Sequence, residues 1–320
     1  MRVAERERRV GSFLVGRLLP FRGKRQVGPF TFIDHMGPSE VGPGRYFDVD
    51  QHPHIGLSTL TYLITGEIAH RDSTGADRVI TPGSVNFMTA GRGCTHTERS
   101  PAALRELLSR GAQHGRSATV HGYQVWVALP REREAMAPRF DHVAAADLPR
   151  WTDGPFDLAL VAGEGYGRRS PLPVYSPLFM VDVAAARGAG TLDVAGELRG
   201  EIAVVVVAGE AHVGAEAMAA GEMLISVTDD ACCLDLAAGS RVLLFGGAPL
   251  PEERFLYWNF VSSSRERLER AKADWRAWWP GRDAASAFGR GVDGDATYIP
   301  LPGETREAGA PAPRPGAPTS

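Results

Sequence analysis

The sequence predicts an all-β protein of two barrels in tandem, followed by one amphipathic helix. Through most of the chain, short runs rich in β-branched and aromatic residues alternate with glycine and proline turns, a pattern typical of strands. Apolar residues at helical spacing occur near the C-terminal end instead. A chain of 320 residues, 43% of them hydrophobic and 23% charged, suits two ordinary globular domains.

The first barrel is predicted from the order of strands and turns around residues 52–98. The run HPHIG is followed by the β-rich run LSTLTYLIT, which ends at Gly66, and Pro82 and Gly83 then form a turn before another strand. A glycine-rich approach, TAGRG, leads into the run CTHTE. This order, with a His-x-His strand and a later strand that carries a further histidine, resembles that of a cupin barrel.

Two pairs of ligand-type residues dominate this region: His52 with His54, and His96 with Glu98. Side chains two residues apart on a strand project from the same face, so two neighbouring strands would gather three imidazoles and one carboxylate. Imidazole suits zinc, iron, nickel and copper, and a fourth, carboxylate ligand with open positions favours an iron-like or manganese-like catalytic ion. The pattern predicts a working metal site.

The segments FIDHMGP, HPHIG, TAGRGCTHTE and HGYQVWVALP resemble those of the pirin family, whose chains are two cupin (jelly-roll type) barrels in tandem. The resemblance runs from about residue 28 to about residue 261. Two positions depart from the wider patterns, since Ser58 stands where cupins often carry glutamate and Ile55 where many pirins carry arginine. The resemblance implies the following metal ligands: His52, His54, His96 and Glu98.

By the same resemblance, we expect one divalent transition metal ion per chain, Fe(II) in first place, with Mn, Ni, Cu, Co or Zn as alternatives. Some bacterial pirin-like proteins oxidise flavonols such as quercetin, opening the heterocycle with insertion of both oxygen atoms and release of carbon monoxide. The resemblance therefore implies a dioxygenase that takes a small oxygenated aromatic substrate and dioxygen, with Glu98 as catalytic base. Phe47, Phe87 and Met88 are candidate walls for a flat substrate.

A metal-binding regulatory protein without turnover is the alternative from a different class. Pirins in eukaryotes are associated with transcription-factor complexes, where the redox state of the ion could alter the affinity for a protein partner. A sugar or small-acid isomerase is a third possibility, but Thr61 and Asn86 supply few of the polar pocket groups that it needs.

The second half repeats the outline of the first and drops its ligands. The run LITGEIAH, with Gly66, corresponds to VVAGEAHV, with Gly209. Aligning these two glycines, and Gly221 with Gly83, puts four different residues at the ligand positions: Ala195, Glu197, Leu234 and Leu236. We therefore expect a second barrel without metal, and expect its remaining ligand-type pair to be exposed, namely Glu210 and His212.

These observations predict five segments. We expect the metal-binding barrel at 1–130, a linker at 131–150, the second barrel at 151–262, a helix at 263–280 and an irregular, largely disordered tail at 281–320. Ser263 and Glu266 form a capping-box pair at the start of the helix. Apolar residues then recur at helical spacing before Pro280 and are expected to pack on a barrel: Leu268, Ala271, Trp275, Trp278 and Trp279.

Charge and hydropathy exclude several classes of partner. A formal net charge of -3 and a pI of about 6.3 provide no basic field for a nucleic-acid backbone. The N-terminal run MRVAERERRV lacks an apolar signal segment, and the longest aliphatic stretch is far shorter than a bilayer span. We expect a cytoplasmic monomer that binds neither nucleic acid nor membrane.

Three cysteines and two further histidines complete the set of candidates. An odd number of cysteines argues against a disulfide framework, and Cys232 and Cys233 are expected to be buried. Cys94 is a candidate pocket-lining or oxidation-sensitive thiol, because it lies two residues before a predicted ligand. His35 is a candidate for the pocket mouth, and His70 is expected either beside the ligands or in solvent.

Overall fold

The computed structural model describes residues 1–10, 13–110, 117–226, 233–281 and 285–305, with the backbone alone at 279–281. In the first half the elements are β1 (Arg2–Ala4), β2 (Arg6–Val10), β3 (Phe13–Leu19), β4 (Phe30–Val41), β5 (Asp48–His54), β6 (Leu57–Thr65), β7 (Ile68–Asp72), β8 (Asp77–Ile80), β9 (Val85–Thr89), β10 (Cys94–Arg99), the helix α1 (Ala102–Arg110), β11 (Ala118–Ala128) and a 3-10 turn (Arg131–Arg133).

In the second half the elements are β12 (Arg139–Val143), β13 (Arg150–Asp153), β14 (Phe156–Gly165), β15 (Arg168–Arg169), β16 (Leu178–Ala184), β17 (Gly190–Asp193), β18 (Glu201–Ala208), β19 (Glu210–Val213), β20 (Glu216–Ala219), β21 (Glu222–Ser226), β22 (Cys233–Leu236), β23 (Arg241–Gly247), β24 (Phe255–Tyr257), β25 (Phe260–Ser262) and the helix α2 (Arg265–Gly281). The predicted all-β class, with two barrel units and a C-terminal helix, is confirmed.

The chain divides into two compact units, each discontinuous in sequence. The first barrel unit contains Glu7–Val15, Met36–Phe140 and Glu252–Ser320. The second barrel unit contains Met1–Arg6, Gly16–His35 and Asp141–Pro251. The chain therefore crosses between units within β2, β3, β4 and β12.

The first barrel unit is built on two antiparallel sheets. One has the strand order β12-β9-β6-β11-β4-β3-β2, and the other has the order β5-β10-β7-β8. Both sheets and α1 supply apolar side chains to one core, as expected when each sheet must bury one face. That core contains Phe13, Val15, Met36, Val41, Phe47, Val49, Leu63, Ile68, Ile80, Leu108 and Val120.

The second barrel unit repeats this plan. Its larger sheet has the order β1-β21-β18-β23-β16-β14-β13, with β15 paired to β14, and its smaller sheet has the order β17-β22-β19-β20. Buried aliphatic residues from both sheets form its core, among them Leu160, Val181, Leu192, Val206, Leu234, Leu236 and Leu244. An apolar core therefore fills the interior of this unit.

The turn after the long strand of each barrel supports the predicted repeat. Gly66 follows β6 with φ +86°, and Gly209 follows β18 with φ +73°. A Cβ at Gly66 would lie 2.3 Å from the carbonyl oxygen of Thr119, and one at Gly209 would lie 2.3 Å from the Ser240 hydroxyl. Only glycine combines this backbone conformation with so close a neighbour.

The units differ from the contiguous segments expected from the sequence. β1 pairs with β21, so the first six residues belong to the second barrel unit, and residues from 252 onward belong to the first. The stretch 131–150, expected to be a linker, contains the 3-10 turn, β12 and the start of β13. A strand can pair with the unpaired backbone N–H and C=O groups at a sheet edge even when the two strands are far apart in sequence. The position of a strand in the sequence therefore does not determine the unit to which it belongs.

The start of α2 corrects one prediction. The helix begins at Arg265 and runs one residue beyond Pro280. The backbone N–H of Arg267 donates to Ser264 Oγ at 3.4 Å, so the cap is one residue later than the predicted Ser263–Glu266 pair.

The buried face of α2 is as predicted. Trp275 and Trp278 stack with ring centroids 4.5 Å apart and lie in a cluster with Ile55 and Phe260. Leu268 and Ala271 are buried in the same cluster. The tryptophans therefore pack within the first barrel unit, and the side chain of Trp279 lies outside the described residues.

Residues 285–305 are packed rather than disordered, contrary to the prediction for 281–320. Four apolar side chains of this segment are buried: Phe288, Val292, Tyr298 and Leu301. The segment also forms a parallel bridge between Gln51 and Tyr298. The rest of the predicted tail, residues 306–320, lies outside the described residues.

Candidate metal centre

β5 and β10 bring the predicted ligands together. The two strands are antiparallel neighbours, with Cys94 opposite His54 and His96 opposite His52, and an irregularity before Glu98. Opposite residues of an antiparallel pair share one face, so the two sequence pairs project into the same space. The prediction that both motifs lie on neighbouring strands is confirmed.

Three imidazoles converge at this face. His54 Nε2 and His96 Nε2 are 3.1 Å apart, and the ring centroids of His52 and His96 are 4.3 Å apart. Ligand atoms of the three histidines all lie within 4.8 Å of one another. Two nitrogens bound to one ion at about 2.1 Å and at right angles would be about 3.0 Å apart, so the spacing fits a shared metal ion.

The histidines are held in the neutral form that a metal needs. Burial lowers the pKa of His52 to about 4, against the opposing effect of its hydrogen bond to the Asp50 backbone. Burial, and after it the charge of His52, lower the pKa values of His54 and His96 well below the ordinary value. Neutral imidazoles keep a lone pair at physiological pH, and the donor set therefore suits a divalent transition metal.

Glu98 belongs to a second group of ligand-type residues that also contains His96. Its carboxylate lies within 4.8 Å of ligand atoms of His96 and His70, while the group of three histidines does not include it. Burial raises the pKa of Glu98, and the charge of His70 and a hydrogen bond from Thr61 oppose that shift. The four predicted ligands thus form two overlapping groups that share His96.

His70 is part of the cluster, on β7, and the sequence reasoning underestimated it. Glu98 pairs with His70 across β10 and β7, and His96 pairs with Asp72. His70 is 3% exposed, and its Nε2 lies 3.0 Å from Asp72 Oδ2. The signal was present in the run IAHRD, where burial alternates so that His70 and Asp72 share the buried face.

The Asp72 carboxylate has a lowered pKa and stays ionised. Burial would raise its pKa, but hydrogen bonds and charge from His70, together with two hydrogen bonds from Thr74, outweigh burial and lower it. Asp72 is therefore a buried anion beside the histidines.

Strand register decides which side chains line the space in front of the cluster. Thr61 donates to Gln124 Oε1 at 2.7 Å and lies 3.5 Å from Glu98 Oε1, so the face of β6 that carries Thr61 looks toward the cluster. Thr59 is opposite Met88 and Trp126, and it shares this face because it is two residues from Thr61.

The expected walls are therefore partly wrong. Met88 faces the cluster side, whereas Phe87 is paired with Leu60 on the other face of the sheet. Phe47 packs in the apolar core, with its ring centroid 5.0 Å from that of Phe13. Sequence reasoning missed Trp126, whose ring lies edge-on to His54 at 5.1 Å.

The structure places each of the remaining thiol and histidine candidates. Cys94 lies opposite His54, on the face of the cluster, and is completely buried beside Met88. Burial raises the pKa of its thiol to about 12, which opposes an oxidation-sensitive thiolate. His35 lies in the second barrel unit, where its Nδ1 is 2.6 Å from Glu5 Oε1. Cys233 is only partly buried, and Cys232 lies outside the described residues.

The C-terminal segment is bonded to the strand that carries His52. The Gln51 side chain donates to the backbone oxygens of Asp295 and Thr297, at 2.6 and 3.2 Å, and accepts from Val292 N–H at 2.8 Å. Residues 292–297 are thus hydrogen-bonded to β5 through the Gln51 side chain, next to His52 in sequence.

An arginine whose side chain is 12% exposed makes a second connection. Arg99, next to Glu98, contacts Asp50 at 3.0 Å and Asp295 at 2.6 Å. Asp48 lies 3.3 Å from the same guanidinium. One arginine therefore joins β10 to both β5 and the C-terminal segment.

The equivalent positions of the second barrel unit are occupied otherwise. Leu234 and Leu236 lie in its apolar core, and Ala195 and Glu197 are exposed. Glu210 and His212 are exposed, as predicted. Among the described residues, both groups able to hold a metal lie in the first barrel unit.

No helix in the described ranges is long and apolar enough to cross a bilayer.

Two family models match successive parts of the chain. The Pirin family model matches residues 12–127, and the Pirin C-terminal cupin domain matches residues 180–279. A pirin-like protein of Caulobacter vibrioides is 44% identical over 300 residues, which are 93% of this chain and 97% of that protein.

Two further relatives carry the name of an enzyme. A protein of Pseudomonas aeruginosa, provisionally named a quercetin 2,3-dioxygenase, is 41% identical over 83% of this chain and 79% of its own length. The crystal structure of a quercetin 2,3-dioxygenase from Acinetobacter baumannii has a TM-score of 0.79 and 32% identity, and the match covers 96% of this chain and 97% of that one.

Proposed function

The chain belongs to the pirin family, and from this premise we propose that it is a metal-dependent dioxygenase that opens flavonols such as quercetin with dioxygen. The observation that carries the proposal is the buried convergence of His52, His54 and His96, with Glu98 beside them. The similarity to quercetin 2,3-dioxygenases over nearly the whole chain supports the same substrate class.

We propose that the residues that would hold the ion are His52, His54, His96 and Glu98, and that the ion is Fe(II). A bound divalent ion of this kind supplies Lewis acidity and redox chemistry toward dioxygen. Three neutral imidazoles and one carboxylate would leave coordination positions open for substrate, as a catalytic site requires. Mn, Ni, Cu, Co and Zn are the alternatives to test.

Glu98 is the proposed base toward the flavonol hydroxyl. Its only direct hydrogen-bond donor among the described residues is Thr61, at 3.5 Å, and that hydroxyl makes its shorter bond to Gln124 at 2.7 Å. The carboxylate therefore keeps lone pairs that can accept a proton. Burial raises the pKa of Glu98 in the metal-free protein, but a bound divalent ion would lower it, so the flavonol hydroxyl would have to be acidified by the same ion for Glu98 to accept its proton.

The surrounding side chains favour a flat apolar ligand with polar edges. Trp126 and Met88 lie on the face that looks toward the cluster, where they can exclude water from the reacting hydroxyl. Thr61 and Gln124 supply a hydroxyl and an amide on the same face, which can orient the oxygenated rim of a flavonol.

Oxygen uptake by the iron-loaded full chain, with a panel of flavonols, tests this function. We expect one dioxygen consumed and one carbon monoxide released for each quercetin, and no turnover for His54→Ala. His212→Ala is the matched control, because that histidine is exposed in the second barrel unit. If the iron-loaded protein consumes no oxygen with any flavonol, the dioxygenase proposal fails and the regulatory function takes its place.

A further inference from the structure

A continuous line of polar atoms runs from β7 to the metal centre. Asp72 Oδ2 lies 3.0 Å from His70 Nε2, and His70 Nδ1 lies 3.3 Å from His96 Nδ1. His96 Nε2, at the far end of its ring, faces His54. Each atom of the line is buried, and the His70 ring stacks on Phe140 at 4.7 Å, so its orientation is fixed by packing.

The hydrogen bonds of Asp72 Oδ1 determine which group donates and which accepts in each hydrogen bond of this line. Asp72 Oδ1 accepts from Thr74 N–H at 2.8 Å, from the Thr74 hydroxyl at 2.6 Å and from Ala76 N–H at 3.2 Å. Oδ2 is then the oxygen that accepts from His70 Nε2–H. A neutral His70 therefore presents the lone pair of Nδ1, and His96 must donate its Nδ1–H to that lone pair.

We propose that His70 and Asp72 are positioning residues that hold His96 with its proton on Nδ1 and its lone pair on Nε2, aimed at the metal. The inference rests on the proposed metal site. It gives His70 a different task from the proposed ligands, although its ring centroid lies 5.1 Å from that of His96, nearly as close as the ring centroid of His54 at 5.0 Å. Hydrogen-bond partners of this kind fix ligand orientation and typically change metal affinity 10- to 100-fold.

Asp72→Asn tests the proposed role of Asp72, because the asparagine side-chain amide can adopt only one orientation. The two backbone N–H groups of Thr74 and Ala76 can only donate, so the amide oxygen must take the place of Oδ1 and the amide NH₂ must face His70. His70 Nε2 must then accept, its proton moves to Nδ1, and His96 Nδ1 must become the acceptor. The proton of His96 is forced onto Nε2, where it blocks the metal.

Two measurements on the full chain can detect the expected shift of the His96 proton in Asp72→Asn. Co²⁺ affinity by competition with a chelator should fall 10- to 100-fold in Asp72→Asn. Nitrogen NMR of the histidine side chains in the metal-free protein should show the His96 proton on Nδ1 in the wild type and on Nε2 in the variant. Asp77→Asn removes the same charge from the exposed end of the β7–β8 hairpin and should change neither.

Replacing His70 separates positioning from direct ligation. In His70→Gln the amide oxygen can still accept from His96 Nδ1–H, so Co²⁺ affinity should stay within a few-fold of the wild type, whereas His70→Leu should lose 10- to 100-fold. Circular dichroism melting verifies that each variant is folded.

Three results would overturn the inference: wild-type Co²⁺ affinity in Asp72→Asn, an unchanged His96 tautomer in that variant, or equal loss in His70→Gln and His70→Leu. The test uses no flavonol, so a failure of the dioxygenase proposal would leave its outcome untouched.

Discussion

His52 Nδ1 lies 2.8 Å from the backbone oxygen of Asp50, two residues earlier on the same strand. The ring therefore donates to its own strand and turns Nε2 toward the other histidines. Asp50 in turn binds Arg99 and Thr297 through its carboxylate. His52, the first of the predicted ligands, thus lies on a strand that is itself bonded to β10 and to the C-terminal segment.

Removing one imidazole should empty the site without unfolding the chain. We expect His96→Ala to retain less than a tenth of an equivalent of metal, against about one equivalent per wild-type chain, since only the first barrel unit has a competent cluster among the described residues. Elemental analysis and thermal melting measure the two quantities. Unfolding of the metal-free variant would make the site structural, and two equivalents in the wild type would mean a further site.

Glu98→Gln should separate metal binding from proton transfer. The amide oxygen can still coordinate weakly beside three imidazoles, but it cannot accept the proton of a flavonol. We expect iron content within a few-fold of the wild type and oxygen consumption at least about 100-fold lower, in the range typical for loss of a general base. Activity retained at matched iron content would leave Glu98 as a ligand only.

Acid should destabilise the metal-free protein between pH 6.5 and about 4. The pKa of His52 is lowered by burial from 6.5 to about 4, so in this window the unfolded chain binds a proton that the folded chain does not. Stability is therefore full above pH 6.5 and falls as the pH drops, with His54 and His96 adding in the same direction. Glu98, whose pKa is raised, opposes this in part by taking up a proton in the folded state.

Urea unfolding of metal-free protein at pH 7.5, 6.5, 5.5 and 4.5 measures this dependence. His52→Phe should flatten the curve, whereas His212→Ala, at an exposed position, should leave it unchanged. A stability that rises on acidification through this window would contradict the direction predicted for the buried histidines.

Arg99→Met should destabilise the first barrel unit. It leaves Asp50 and Asp295 without their shared cation, and both carboxylates are almost fully buried. We expect a loss of about 3 kcal/mol in the free energy of unfolding, as is usual when one partner of a buried ion pair is removed. Arg110→Met removes an exposed pair with Glu106 on α1 and should cost under about 1 kcal/mol. Equal effects of the two variants would contradict the role of burial.

Local patterns predicted the features whose causes are local. Alternation along HPH and CTHTE was enough to expect His52, His54, His96 and Glu98 on shared faces, since strand geometry sets that spacing. Helical spacing likewise predicted the buried face of α2. The cap was misassigned because adjacent serines are nearly equivalent as caps, and only the fold selects Ser264.

The features that the sequence did not predict depend on contacts between residues that are distant in sequence. Trp126 faces His54 because β11 pairs with β6, and nothing in its own segment marks that face. The pairing of β1 with β21 likewise depends on a sheet edge that the rest of the chain creates. His70 was within reach of the alternation argument, since His70 and Asp72 occupy the buried positions of β7. Its bond to His96 becomes visible only when β7 and β10 are neighbours.

The bonds of Gln51 set an order of events during synthesis. Its partner Asp295 leaves the ribosome 244 residues later, and Thr297 two residues after that. Since chains emerge from the N-terminus at about 5–20 residues per second, the strand that carries His52 waits roughly 10–50 seconds for the contacts that complete it. The barrel that contains the histidine cluster is therefore completed only after the second barrel has been translated, and we expect a nascent chain to bind an ion at this cluster late.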